Sequence, residues 1–190
     1  MKLKQATQPF ILIVLLSILT GCSKSDTPMD SEKNIASNVV ITPSNLYGEW
    51  GISKLITDTP VDLNGDGSLN TNILLETNCF KSMAITFKSN SKFTTTNSQM
   101  NFEAGTDSDA FACLEDRKDR GSWQIEGNKL TLNISIDGEI YSQTKTISLN
   151  DGKFEFDVSR MESAAYVNDP GTTDASGITI ISIEYEKKAD

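Results

Sequence analysis

One loop carries the side chains best suited to binding chemistry, and it reads VDLNGDGSLNTN from residue 61 to residue 72. Oxygen-bearing side chains stand at every second position, and a glycine follows the third of them. Oxygens with this spacing converge on one point when a glycine permits a sharp turn, and such clusters bind Ca²⁺. The candidate calcium ligands are Asp62, Asn64, Asp66, Ser68 through its backbone carbonyl, and Asn70 through a water molecule.

The loop departs from a full calcium motif at its twelfth position. Counting from Asp62, that position holds Ile73 instead of a bidentate glutamate, and Glu76 lies three residues beyond it. We therefore expect weak binding, with a dissociation constant on the order of 10⁻⁴ to 10⁻³ M. The alternative is that residues 64–67 form turns and bind no metal, because Asn, Asp and Gly all favour turn conformations. Either interpretation gives the loop a structural role.

The composition excludes several other kinds of chemistry. The 190 residues include no histidine, which removes histidine bases, Ser-His and Cys-His nucleophile pairs and His-ligated zinc. The formal net charge is −9 and no basic patch is present, which argues against a nucleic-acid partner. We therefore predict that the protein is not an enzyme. The remaining catalytic alternative is a glycosidase, which needs only two carboxylates.

The first 22 residues have the pattern of a lipoprotein export signal. Two lysines among the first four residues precede an apolar run from Phe10 to Leu19. This run is shorter than the ~20 residues of a membrane-spanning helix, and it is typical of a secretory signal. It ends in Leu-Thr-Gly-Cys, which resembles a bacterial lipobox, so we predict a signal peptide over residues 1–21 and lipidation of Cys22. The alternative is an ordinary signal peptide with a chance cysteine.

The residues after Cys22 indicate where the protein is anchored. Ser23 stands beside the cysteine instead of aspartate, which, by resemblance to the sorting rules of Gram-negative bacteria, favours the outer membrane. We predict an outer-membrane lipoprotein, held by its N-terminal lipid and facing either the periplasm or the cell surface. Residues 22–44 are largely polar and lack aromatic residues, so we predict a lipidated cysteine and a flexible tether there. A single domain over residues 45–190 follows.

Apolar and polar residues alternate with period two through most of that domain, which indicates β-strands. The clearest case is the apolar series Leu130, Leu132, Ile134 and Ile136. Short turns separate most of the runs, so neighbouring strands are expected to be antiparallel. We predict an all-β fold, an eight-stranded antiparallel up-and-down barrel, with a two-sheet β-sandwich as the alternative. The predicted strands are 47–57, 82–88, 91–97, 120–126, 128–136, 140–149, 152–159 and 177–187.

A Gly-x-Trp sequence opens the first predicted strand, at Gly48 and Trp50, and a second one stands at Gly121 and Trp123. With the strand pattern and the lipobox, the first of these resembles the opening of lipocalins and of bacterial lipocalin-like lipoprotein domains. The resemblance implies that Gly48 and Trp50 close one end of the barrel. It also implies a small hydrophobic ligand inside the barrel, and it gives the Asp-rich loop the place of a lid over the mouth.

Two cysteines, Cys79 and Cys113, remain if Cys22 is lipidated. The export signal implies an oxidising compartment, so we predict a disulfide between them, the alternative being two buried free thiols. The charged run at residues 115–120 is predicted to be an exposed connection. Gln143 and Lys145 share one face of a predicted strand, and if that face points inward the cavity has a polar end suited to an anionic head group.

These patterns lead to two expectations about function. The first is a membrane-anchored, non-catalytic binder of a small hydrophobic or amphipathic ligand. The alternative is a structural or interaction module of the cell envelope, with a filled core and a protein or glycan partner outside. No cofactor is expected apart from calcium at the loop that begins with Asp62.

Overall fold

The structure is a computed structural model that describes residues 40–102, 110–136, 138–169 and 177–189. The predicted signal peptide, the lipidation site Cys22 and the tether as far as residue 39 lie outside these residues and stay predictions. The described chain is already packed at Ile41, which is buried in the core. Within the described residues, we find no helix whose length and apolar character would let it cross a membrane.

The strands of the described residues join in one curled sheet, and all but one of the pairings are antiparallel. Two short α-helices and one 3₁₀ helix accompany it: α1 (Pro43–Leu46), the 3₁₀ helix Ile73–Leu75 and α2 (Arg160–Ser163). The strands are β1 (Gly48–Val61), β2 (Asn70–Asn72), β3 (Ala84–Phe87), β4 (Lys92–Phe102), β5 (Phe111–Glu126), β6 (Lys129–Ile136), β7 (Glu139–Thr146), β8 (Ser148–Asn150), β9 (Lys153–Asp157), β10 (Val167–Asn168) and β11 (Ile180–Lys187).

The order of strands brings the two ends of the sheet towards each other. The sheet runs β7-β6-β5-β4-β3-β1-β11-β9-β8, with β2 paired to β1 and β10 parallel to β4. The two end strands of this order, β7 and β8, are consecutive in sequence, and only Ile147 separates them. The two edges of the sheet therefore lie beside each other. The Lys145 ammonium donates a hydrogen bond to the carbonyl of Asp157 (2.9 Å), which joins β7 to β9 across this seam. The described strands therefore form a curled, almost entirely antiparallel barrel from one sheet, and the predicted all-β barrel fold class is confirmed.

The strands differ from the predicted ones in several places, and β1 and β4 also extend beyond their predicted ends, to Val61 and Phe102. The charged run 115–120 was expected to be a connection, and this is wrong, because it belongs to β5 and its residues 117–120 pair with β4, with a register shift at residues 115 and 116. Backbone hydrogen bonds form this strand although most of its side chains are exposed. The predicted strand 140–149 is interrupted at Ile147, whose side chain turns into the core. The short strands β2 and β10 were not predicted.

Trp50 and Trp123 are both buried, and each indole N–H donates a hydrogen bond to a backbone carbonyl. Trp50 lies beneath α1, where its indole donates to the carbonyl of Leu46 (2.7 Å) and its ring meets that of Phe154 (centroids 5.0 Å apart). Trp123 donates to the carbonyl of Lys88 (3.2 Å) and its ring packs on another core phenylalanine. Each tryptophan therefore fixes a chain segment outside the sheet to the aromatic core. Gly48, the first residue of β1, has φ +113°, a conformation that favours glycine.

The predicted disulfide between Cys79 and Cys113 is confirmed, with the two Cα atoms 5.5 Å apart. It joins the segment before β3 to the beginning of β5. The two cysteines are separated by 34 positions in sequence, so the bond closes a long loop that includes all of β3 and β4.

Candidate functional site

A cavity of about 200 Å³ lies inside the barrel. Its wall is mainly apolar because alternate residues of β3, β4, β6, β9 and β11 point inward. On β6, for example, Leu130, Leu132 and Ile134 all line the cavity, while the residues between them face outward. The aromatic part of the wall consists of Phe93, Phe154, Phe156, Tyr166 and Tyr185.

The polar end of the cavity is built around the carboxylate of Glu162, the third residue of α2. Its oxygens accept hydrogen bonds from the Lys145 ammonium (2.5 Å) and from the Gln143 amide (2.5 Å). They also accept from the backbone N–H (2.8 Å) and hydroxyl (2.7 Å) of Ser159, which caps α2. Burial raises the pKa of Glu162, but the hydrogen bonds from Lys145, Ser159 and Gln143 outweigh it and lower the pKa to about 2.

Gln143 and Lys145 thus line the cavity as predicted, but in an arrangement that the sequence did not indicate. The charge of Lys145 is neutralised by Glu162, so this ammonium is not a free site for an anionic head group. The ion pair instead fastens α2 to β7 and closes the seam where the sheet has no ladder between β7 and β9.

A second ion pair lies at the same end of the cavity. Arg117 and Asp119 of β5 both line it, and their side chains meet at 3.2 Å. Asn97 of β4 also donates to Asp119 (2.8 Å). Sequence analysis missed both charged residues because it placed them in an exposed connection. One signal could have located them. Side chains two residues apart share one face of a strand, so residues 121, 119 and 117 lie on the same face of β5 as the buried Trp123.

The Asp-rich loop uses its oxygens to bind its own backbone. The two carboxylate oxygens of Asp62 accept from the N–H groups of Gly65 (2.8 Å) and Gly67 (2.9 Å). Asp66 accepts from the N–H of Ser68 (2.7 Å), and this bond, with one from Asn64, lowers the pKa of Asp66. Among the described residues, no three Asp, Glu, Cys or His side chains cluster as they would around a metal ion. Calcium binding by the predicted ligand set therefore stays a prediction.

Glu76 lies at the base of this loop. Its side chain is buried, and it accepts hydrogen bonds from the backbone N–H of Leu63 (3.1 Å) and the amide of Asn70 (2.5 Å). No residue from 62 to 70, all of which the structure describes, lines the cavity. The expected lid role of the loop stays a prediction.

The comparison with protein families agrees with this architecture. A family model described as a lipocalin-like domain matches residues 46–156, which is more than half of the 190 residues. The chain belongs to the lipocalin-like domain family. No curated protein matches it. The lipocalin-like match begins at Leu46, which accepts the hydrogen bond of Trp50, and ends at Phe156 in the cavity wall. Glu162, Tyr166 and Tyr185 complete the cavity from beyond the matched segment.

We expect the Lys145–Glu162 pair to stabilise the lipocalin-like domain in a pH-dependent way. The folded-state pKa of Glu162 is about 2, below its ordinary value, so the stabilisation is present above about pH 4.5 and is lost as the pH falls towards 2. Glu162→Gln should lower the free energy of unfolding by about 1–2 kcal/mol at neutral pH and by much less at about pH 2. Urea unfolding at several pH values measures both effects.

Glu126→Gln is the matched control for this prediction, because Glu126 is exposed and has no ion-pair partner among the described residues. Its loss of stability should be small at every pH. If Glu162→Gln lost as much stability at acidic pH as at neutral pH, the prediction would be contradicted. The contribution of the Lys145–Glu162 pair to stability would then not depend on the ionisation of Glu162.

Proposed function

We propose that this protein is a membrane-anchored lipocalin-like lipoprotein and a non-catalytic binder of a small hydrophobic or amphipathic molecule. The observation that carries the proposal is the cavity of about 200 Å³, which has an apolar wall and a small polar end. Ligand sites in proteins are typically concave and largely apolar, with a few polar groups that orient the bound molecule. The family membership supports the same function by analogy of fold.

The size of the cavity limits the ligand. Pockets for drug-sized molecules commonly have volumes of about 300–1,000 Å³, and this cavity is smaller. An engineered apolar cavity of about 150 Å³ in another protein is large enough to bind benzene. We therefore propose a ring-sized ligand that reaches the cavity between β7 and β9, where α2 and the Lys145–Glu162 pair cover the seam.

The charged groups at the cavity support binding without catalysis. Glu162 and Asp119 are both engaged in ion pairs, with Lys145 and Arg117 respectively. A general acid or base works best with a pKa near the working pH, and the pKa of Glu162 is about 2. This carboxylate is therefore ionised near neutral pH and accepts hydrogen bonds from several donors. Such a group is better suited to holding α2 against β7 than to transferring a proton.

The anchoring part of the proposal rests on the N-terminal sequence. Leu19-Thr20-Gly21-Cys22 follows an apolar run, and Ser23 favours the outer membrane. The lipid anchor would hold the domain at the membrane surface, where amphipathic molecules concentrate. Incorporation of labelled palmitate that disappears in Cys22→Ser supports the anchor, and a mature protein without label contradicts it.

Native mass spectrometry of the full-length mature protein, extracted from the cells that express it, tests the binding function. We expect a noncovalent mass that leaves on denaturation and identifies the ligand. Leu132→Trp should fill the cavity and abolish this adduct, whereas Ile140→Trp, on the exposed β6–β7 hairpin, should keep it. A bare protein mass in both variants and in the wild type would contradict the binder. Loss of calcium-sized mass with EDTA would establish the metal site at the loop of Asp62.

A second candidate function is a structural or interaction module of the cell envelope. It is favoured by the exposed apolar side chains of the β6–β7 hairpin, where Ile140 is 73% exposed and Tyr141 is 57% exposed. Such patches are common at protein interfaces. In this case the cavity stays empty, and Ile140→Ser weakens association with an envelope partner while leaving the fold intact.

A further inference from the structure

Two tyrosine hydroxyl groups at the cavity have no hydrogen-bond partner among the residues that the structure describes. Tyr166 and Tyr185 both line the cavity, and Tyr185 is only 5% exposed. Among the described residues, neither phenol oxygen hydrogen-bonds to a protein group. Every fully enclosed side-chain oxygen of the described residues has a hydrogen-bond partner. The Tyr185 hydroxyl has none among these residues, so it is not fully enclosed and borders open space. The open space that its ring lines is the cavity.

Packing holds the Tyr185 ring in a fixed place. The ring stacks on Phe154 (centroids 5.2 Å apart, planes at 17°) and on Phe156 (6.4 Å, 21°). These neighbours follow from the register of β11 against β9, in which Tyr185 pairs with Phe154. The hydroxyl is therefore preorganised, and ordering it on binding costs little conformational entropy.

Tyr166 lines the same cavity and is held there by its backbone. Its N–H donates to the carbonyl of Ser163 (2.9 Å), which continues the turn after α2. Its carbonyl accepts from the N–H of Met100 in β4 (2.8 Å). The residue thus links α2 to the sheet, and the same two bonds place its ring in the cavity wall.

Both phenols are neutral donors at physiological pH. Burial raises the pKa of Tyr166 to about 12, and burial raises the pKa of Tyr185 as well. A neutral phenol donates one hydrogen bond through its O–H group. Both rings line the cavity, so a hydrogen-bond acceptor on a ligand there can receive it.

The polar end of the cavity argues for an uncharged ligand. Its two cations, Lys145 and Arg117, are already paired with Glu162 and Asp119. An anionic ligand that took Lys145 from Glu162 would leave a partly buried carboxylate without its partner, which is costly. The Arg117 side chain is 64% exposed, so water screens its attraction for an anion. A neutral oxygen, such as a carbonyl, needs only the two phenols.

We propose that Tyr166 and Tyr185 determine ligand specificity by donating hydrogen bonds to an oxygen acceptor of a small, uncharged, ring-sized molecule. This inference rests on the proposed binding function and names the chemistry of the ligand. It assigns the apolar ring of the ligand to the wall beside Phe154 and Phe156, and the acceptor oxygen to the phenol pair.

Two probes of the same shape test the assignment on the full-length protein. Acetophenone has a carbonyl oxygen where α-methylstyrene has a methylene group, and benzoate adds a negative charge. We expect wild-type protein to bind acetophenone more tightly than α-methylstyrene and benzoate, as measured by titration followed by ligand-observed NMR. Tyr185→Phe and Tyr166→Phe keep the ring and remove the donor, so each should weaken acetophenone binding roughly 2- to 13-fold. α-Methylstyrene binding should not change.

Tyr141→Phe is the matched control, because Tyr141 is 57% exposed and does not line the cavity. It should leave the affinities for all three probes unchanged. The carbonyl stretching frequency of bound acetophenone gives a second measurement that needs no variant. A hydrogen bond lowers this frequency relative to that in an apolar solvent, and we expect the lowered value.

The possible failures can be told apart. Equal affinities for acetophenone and α-methylstyrene, with an unshifted carbonyl frequency, would overturn the phenol assignment and leave the binding function standing. Tighter binding of benzoate would overturn it in favour of the charged end of the cavity. Binding of no probe would overturn both this inference and the proposed function.

Discussion

Gly121→Ala is expected to destabilise the domain severely. A Cβ atom at this position would lie 1.9 Å from the carbonyl oxygen of Asn133 and 3.0 Å from the Phe93 ring. The first contact is with the backbone of β6, so no side-chain rotation can relieve it, and β5 and β6 must move apart. We expect the free energy of unfolding to fall by at least about 1–3 kcal/mol, the usual range for overpacking. Urea unfolding followed by tryptophan fluorescence measures the loss.

Ser122→Ala is the control, since it changes the next residue of β5 without adding an atom near β6. It should shift the unfolding midpoint little. A Gly121→Ala protein with the wild-type midpoint would show that the two strands are not as close as described. The prediction also gives the second Gly-x-Trp sequence a physical meaning, because the glycine admits the neighbouring backbone and Trp123 packs in the core beside it.

Removal of the Cys79–Cys113 disulfide is expected to have an effect of similar size. The bond spans 34 positions. In the chain-entropy model, closing a loop of this length stabilises the native state by roughly 3.5–4 kcal/mol, mainly by restricting the unfolded chain. The double variant Cys79→Ala/Cys113→Ala should therefore unfold at a much lower urea concentration than the oxidised wild type.

Adding a reductant to each protein separates the disulfide from other effects of substitution. The reductant should move the wild-type midpoint towards that of the double variant, and it should leave the double variant unchanged. Equal midpoints for oxidised wild type and double variant would contradict the prediction. They would mean that the unfolded chain is already restricted in this region, for example by residual contacts of β3 with β4.

The fold could be predicted where burial alone decides which residues face inward. β6 is the simplest example, since Leu130, Leu132 and Ile134 alternate with polar residues and all three line the cavity. The rule failed at residues 115–120, because their strand is held by backbone bonds to β4 and has little apolar side-chain signal. It also failed at Ile147, which separates β7 from β8 and is buried in the core.

The site was harder to predict because its members come from distant elements. Gln143 and Lys145 could be found by alternation along one strand. Their partner Glu162 could not, because its position depends on where α2 crosses the seam. Tyr166 and Tyr185 meet at the cavity only through the pairing of β10 with β4 and of β11 with β9, which no local pattern encodes.

Because β1 and β11 are adjacent, the arrangement of the strands in space does not depend on where in the sequence the chain begins and ends. Trp50 pairs with Lys187, and the N–H of Lys188 donates to the carbonyl of Glu49 (2.9 Å). The start of the first long strand and the end of the last one are therefore neighbours in space. A short linker between them would give a circularly permuted domain, reopened at the exposed Gly138 before β7, in which every strand pairing is retained.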